Sequence, residues 1–112
     1  MEEKVRCGIL LDFYGAALSE RQRDIMQLYY GEDLSFGEIA QDLAISKQGV
    51  YDAVQKAKAI IEDLEQKLHF MQRFFDLNQG LKSIAQAAQN DKAILKEIET
   101  IRTQCEVIDY GI

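Results

Sequence analysis

Ser35-Phe36-Gly37-Glu38-Ile39-Ala40-Gln41-Asp42-Leu43-Ala44-Ile45-Ser46-Lys47-Gln48-Gly49-Val50-Tyr51 is the stretch on which the reading of this chain turns. Ser35 followed three residues later by Glu38 has the form of a capping box, in which the hydroxyl and the carboxylate each satisfy one amide at a helix start. Ile39, Ala40 and Leu43 then fall on one face of a short helix. Ser46 caps a second helix whose inward stripe is Val50, Ala53, Val54 and Ala57. Between them Ala44-Ile45-Ser46 makes a three-residue turn. The spacing predicts a helix-turn-helix, in which a small residue must stand where the first helix crosses the second, and Ala40 occupies that position. The turn residue that is often glycine is Ala44 here, and a left-handed conformation would cost it about 1 kcal/mol. Any tight corner between two helices could show the same pattern, so its neighbours matter.

Upstream, Val5, Ile9, Phe13 and Ala16 or Ala17 recur at helical spacing and predict a first helix ending near Leu18. Ser19-Glu20-Arg21-Gln22 is a second capping box, opening a helix with Ile25, Leu28 and Tyr29 inward and Gly31 as its stop. Downstream, no stop signal follows Ala57. Ile61, Leu64, Leu68, Met71 and Phe75 continue at spacings of 3, 4, 3 and 4, the seam of a coiled coil. Asn78-Gln79-Gly80 is the first expected break, and Leu81, Ile84 and Ala88 suggest another helical piece. Beyond Asn90-Asp91, Ile94, Ile98, Ile101, Cys105 and Ile108 resume the seam. The expected organisation is a helix-turn-helix domain over residues 1–60 and a helical tail over 61–112. Isolated helices of such length are marginal in water, so the tail needs a surface to cover it.

Composition narrows the class. Of 112 residues, 47% are hydrophobic, with seven glycines and no proline, which favours an all-α chain over a turn-rich β architecture. No apolar run reaches the roughly 18–20 residues of a membrane span. Met1-Glu2-Glu3-Lys4 is not a basic leader, and a cytoplasmic protein is expected. Cys7 and Cys105 have neither CxxC spacing nor a nearby histidine, so no disulfide frame, metal site or cofactor site is expected. His69, the single histidine, reads as a partly buried packing residue beside the seam. Gly31 to Gly37 lacks the lysine of a phosphate loop. With no grouping that builds an active site, the chain is not expected to be an enzyme.

Leu18 to Tyr30, Leu34 to Ala40 and Ile45 to Tyr51 together resemble the region-4 promoter-binding domain of bacterial sigma factors. Leu11-Asp12-Phe13-Tyr14-Gly15 with Ile45-Ser46-Lys47-Gln48-Gly49-Val50-Tyr51-Asp52 looks like the YlxM family of small bacterial proteins. That resemblance implies a sigma-like head with a C-terminal oligomerising extension. It also implies a gene neighbourhood shared with the signal recognition particle, and a regulatory role in that pathway.

With Val50, Ala53, Val54 and Ala57 inward, the outer side of the second motif helix holds Lys47, Gln48, Tyr51, Gln55 and Lys58. Lysine and glutamine in the first turns can reach base edges, and glutamine can pair bidentately with adenine. Tyr51 can stack or bond a phosphate. Lys58, Arg21 and Arg23 could hold the backbone, and Ser46 marks a helix N-terminus suited to phosphate. The same residue types serve RNA.

Charge opposes this reading. Lys plus Arg number 13 against 19 Asp plus Glu, a net of −6, whereas nucleic-acid-binding domains are usually basic. A second expectation is therefore a protein-interaction module that kept the shape but lost the positive surface, binding a component of the signal recognition particle or RNA polymerase. For the tail, Ile61, Leu64, Leu68, Met71, Phe74, Phe75, Ile98, Ile101 and Cys105 are the expected homodimer interface. Packing within one chain is the plainer reading of Phe70, Phe74 and Phe75.

Overall fold

A computed structural model describes residues 1–104, and every element among them is helical. Six α-helices follow in order: α1 (Glu3–Tyr14), α2 (Glu20–Met26), α3 (Phe36–Leu43), α4 (Lys47–Leu68), α5 (Phe70–Ala87) and α6 (Lys92–Gln104). A single 3-10 turn, Gly15–Ala17, follows α1, and a π-helical turn, Gln27–Gly31, extends α2. Two compact units divide between Met71 and Gln72, and α4 runs unbroken through residue 60.

The head unit, Met1–Met71, is built around α4, against which α1, α2 and α3 all pack. Its core is Cys7, Ile9, Leu10, Leu11, Tyr14, Leu18, Ile25, Met26, Ile39, Val50, Val54, Ala57, Ile61 and Met71. Burying a valine, leucine, isoleucine or methionine side chain contributes about 1.5–3 kcal/mol, and these types make up most of the core. Both capping boxes form: Ser19 accepts from the Gln22 amide at 3.1 Å, and Ser35 from the Glu38 amide at 3.1 Å, with the reciprocal bonds at 3.0 Å each. The Ser35 amide holds the Glu38 carboxyl below its usual range.

Three expectations are corrected in this unit. The first helix buries Cys7, Ile9, Leu10, Leu11 and Tyr14, so that of the expected stripe Ile9 is inward, while Val5 stays exposed and Ala16 and Ala17 face solvent. Apolar residues encircle this helix, so periodicity alone does not select its inner side. Secondly, the seam does not run straight from Ile61 to Phe75. Helix α4 ends at Leu68, and His69 is left-handed at φ 57°, ψ 31°. Asn78-Gln79-Gly80 is consequently not a break but the interior of α5. Thirdly, His69 is exposed, as a corner residue, and not packed.

The second unit, from Gln72 onward, holds the rest of α5 and α6. Leu81 and Ile98 are buried, and buried Asn78 accepts a bond from the Arg102 guanidinium at 3.1 Å. Asp91 starts α6 by accepting from the amides of Ala93 and Ile94, at 3.0 and 3.2 Å.

Candidate nucleic-acid interface

Helix α3 closes on a left-handed residue, Ala44, at φ 55° and ψ 43°. The amide of Ile45 bonds the carbonyl of Ala40 at 3.0 Å, and that of Ala44 reaches Gln41 at 3.4 Å, a Schellman closure. This closure turns the chain sharply enough for α4 to begin at Lys47. There the Ser46 hydroxyl accepts from the Gly49 amide at 2.9 Å. A β-carbon on Gly49 would lie 3.1 Å from that hydroxyl, which accounts for glycine in the first turn of a long helix.

The turn sets Lys47, Gln48, Tyr51 and Gln55 on the exposed side of α4, opposite buried Val50, Val54 and Ala57. Ser46 is exposed beside them, although its hydroxyl is engaged as the cap. The Gln48 amide donates to Asp52 at 3.0 Å, so one carboxylate belongs to this surface. Tyr51 is 45% exposed and meets the edge of Phe36 with ring centroids 5.9 Å apart. Phe36 in turn stacks on Tyr29 at 4.7 Å. An aromatic row therefore supports Tyr51 from beneath and leaves its outer part free.

Not all the expected cations join this face. Lys58 donates to Glu3 at 2.7 Å, and the Glu3 carboxylate raises the Lys58 pKa while its own falls. Lys58 thus ties α1 to α4, with Arg6 and Glu62 making a second tie. Arg23 turns its guanidinium toward the Leu18 carbonyl at 3.4 Å, and its Nε is buried without a hydrogen-bond partner among the described residues. Arg21 and Lys47 are exposed, without a carboxylate partner among the described residues. Sequence reasoning missed Phe36 as the support of Tyr51. The available signal was the group of aromatic residues at 29, 30, 36 and 51.

A family profile described as "Putative helix-turn-helix protein, YlxM / p13 like" matches residues 1–101. The chain belongs to this family, UPF0122. UPF0122 proteins of Bacillus cereus (strain AH187), Bacillus anthracis (strain A0248) and Bacillus thuringiensis subsp. konkukian (strain 97-27) are each 33% identical to it over 109 residues, covering 97% of this chain and 99% of the relative. The similarity to these UPF0122 proteins therefore spans both compact units.

Of the tail residues expected at a dimer interface, Ile61, Met71 and Ile98 are buried within the chain itself. Leu64, Phe74 and Phe75 are half-buried, Leu68 and Ile101 are exposed, and Cys105 lies outside the described residues. Leu77, Ile84 and Ile94, which were not expected at that interface, are exposed as well. No described helix is long and apolar enough to cross a membrane, and no group of three metal-binding side chains occurs among the described residues.

Proposed function

We propose that this UPF0122 protein is a non-enzymatic regulator whose head binds DNA by laying the first turns of α4 in the major groove. The observation carrying this reading is the joint exposure of Lys47, Gln48, Tyr51 and Gln55 on one side of α4, beyond the Schellman turn. Lys47 and Gln48 are the base-edge contacts, Tyr51 stacks or bonds a phosphate, and Arg21 and the free amides after Ser46 meet the backbone. Few cations are available, so binding is salt-sensitive, the log–log slope falling by about one per phosphate contact. A second copy, joined through exposed tail residues such as Leu68, Leu77, Ile84, Ile94 and Ile101, supplies the second head that many helix-turn-helix proteins use. The cytoplasm is the compartment this role requires.

Fluorescence-polarisation titration against genomic DNA fragments at low salt tests the reading. Saturable binding that weakens at least tenfold in the double variant Lys47→Ala, Gln48→Ala supports it, each good base contact discriminating by about 1–3 kcal/mol. Absence of binding, or binding indifferent to that variant, overturns it. RNA of the same length, run in parallel, separates the two nucleic acids. Light scattering at micromolar concentration tests the dimer.

One observation favours a different class of partner. Arg23 turns its guanidinium inward toward the Leu18 carbonyl, withdrawing one cation from the surface of a chain already at net −6, while Lys58 and Glu3 cancel each other. A head of that kind suits a basic protein surface, and the resemblance to the YlxM family makes components of the signal recognition particle the first partners to try, with RNA polymerase next. A stoichiometric protein recovered after nuclease treatment would favour this reading over DNA.

A further inference from the structure

Asp52 is exposed on α4, four residues after Gln48, on a face where a carboxylate would repel phosphate. The bond it makes gives it a use there. Gln48 Nε2 donates to Asp52 Oδ1 at 3.0 Å. An ionised carboxylate only accepts, so this contact decides which end of the amide is which: the NH2 group faces Asp52 and the carbonyl oxygen does not. One N–H is thereby spent within the chain. Gln48 still offers outward its carbonyl oxygen and its second N–H.

Among the four bases, adenine alone matches that remainder in the major groove. Its N7 accepts and its N6 amino group donates, so the N–H and the carbonyl oxygen are both satisfied. Guanine shows two acceptors, N7 and O6, and would need both N–H groups of the amide, one of which Asp52 holds. Thymine offers an acceptor and a methyl group, and cytosine a single amino donor, so each leaves half of the amide unmatched. We infer that Asp52 is a specificity-determining residue, positioning the Gln48 amide for adenine and against guanine, a role that rests on the major-groove reading of α4. Helix support alone does not single the pair out. Gln72 Nε2 donates to Asp76 Oδ1 in the same way within α5, also at 3.0 Å. Such a pair supports an exposed helix wherever it occurs. Only at Gln48 does it stand in the first turn after the Ser46 cap, beside Lys47 and Tyr51.

The test is selection from a randomised duplex DNA pool by the full chain at low salt. The selected duplex is then titrated beside a copy in which one A·T pair is changed to G·C, at the position whose preference disappears in Gln48→Ala. The unaltered protein is expected to prefer adenine there by about tenfold, within the range of a bidentate contact. Asp52→Ala is expected to bind the G·C copy more tightly and to cut the preference to about twofold or less. Asp52→Asn keeps an acceptor for Gln48 without the charge and is expected to retain the preference. Asp76→Ala, losing the equivalent pair in α5, is expected to alter neither affinity nor preference. A selected site with no such adenine position, or a preference unchanged in folded Asp52→Ala, overturns the role of Asp52 and leaves DNA binding standing. Equal loss of preference in Asp52→Asn and Asp52→Ala assigns the effect to charge and overturns the positioning. A pool from which the unaltered protein retains no duplex overturns the major-groove reading, and the role of Asp52 with it.

Discussion

The hydroxyl of Tyr14 donates to the carboxylate of Glu65 across 2.6 Å in the interior of the head, joining the last residue of α1 to the final turns of α4. A carboxylate this deeply buried is tolerable only when its oxygens find donors, and Glu65 also receives the Met71 amide. Deleting the Tyr14 hydroxyl removes a bond to a charged group and leaves the Phe70 amide without its acceptor. Tyr14→Phe is therefore expected to lower the unfolding free energy by about 1–3 kcal/mol. Urea denaturation checks this through a lower midpoint at unchanged slope.

Ala44 is the second position where one residue decides the outcome. Its left-handed conformation closes α3 and launches α4, and alanine adopts it at a cost of about 1–2 kcal/mol. Ala44→Gly removes that cost while adding some freedom to the unfolded chain, for a net gain of about 0.5–1 kcal/mol. Thermal denaturation should register a rise of a few degrees, with DNA binding unaltered, because Ala44 contributes no side-chain hydrogen bond to the reading face.

How much of this was legible follows from where the signals are local. Ser19, Ser35 and Ser46 announce their helices because a cap is decided within four residues, and Ala44 betrays its turn for the same reason. The buried side of α1 was only partly legible: Ile9 is buried as its spacing suggests, but Val5 is exposed while Cys7, Leu10, Leu11 and Tyr14 are buried, a choice made by packing within the head. The corner at His69 was not legible either, since it is set by Tyr14, more than fifty residues away. At the site, exposure of Lys47, Gln48, Tyr51 and Gln55 follows from helical spacing. The diversion of Lys58 to Glu3 does not, because it depends on how α1 lies against α4.

That diversion makes a contrast between two lysines. Lys47→Ala removes an exposed cation from the proposed reading face, and is expected to weaken DNA binding and reduce the salt slope by about one. Lys58→Ala breaks a pair with Glu3 and is expected to leave both unchanged, while costing stability by no more than about 1 kcal/mol. Polarisation titrations over a salt series, with a melting curve for each variant, distinguish the two. Equal loss of binding in both would place Lys58 on the interface after all.

Alkaline titration gives the last expectation. Burial, reinforced by the bond to Glu65, raises the Tyr14 pKa above the ordinary value of 10, and burial with hydrogen bonding to Cys7 raises that of Tyr30 still more. An acid whose folded pKa lies above its unfolded one keeps its proton longer when folded, so the folded state binds more protons than the unfolded state above pH 10. The associated stability is complete below pH 10 and is lost as pH climbs through the raised values. Melting temperature should therefore hold steady up to pH 10 and then decline. The tyrosinate absorbance of Tyr14 and Tyr30 should appear at higher pH than that of free tyrosine. Tyr30→Phe should flatten the alkaline decline, and Tyr14→Phe should flatten it less; a decline identical to wild type in Tyr30→Phe would mean that its hydroxyl is not held by the fold.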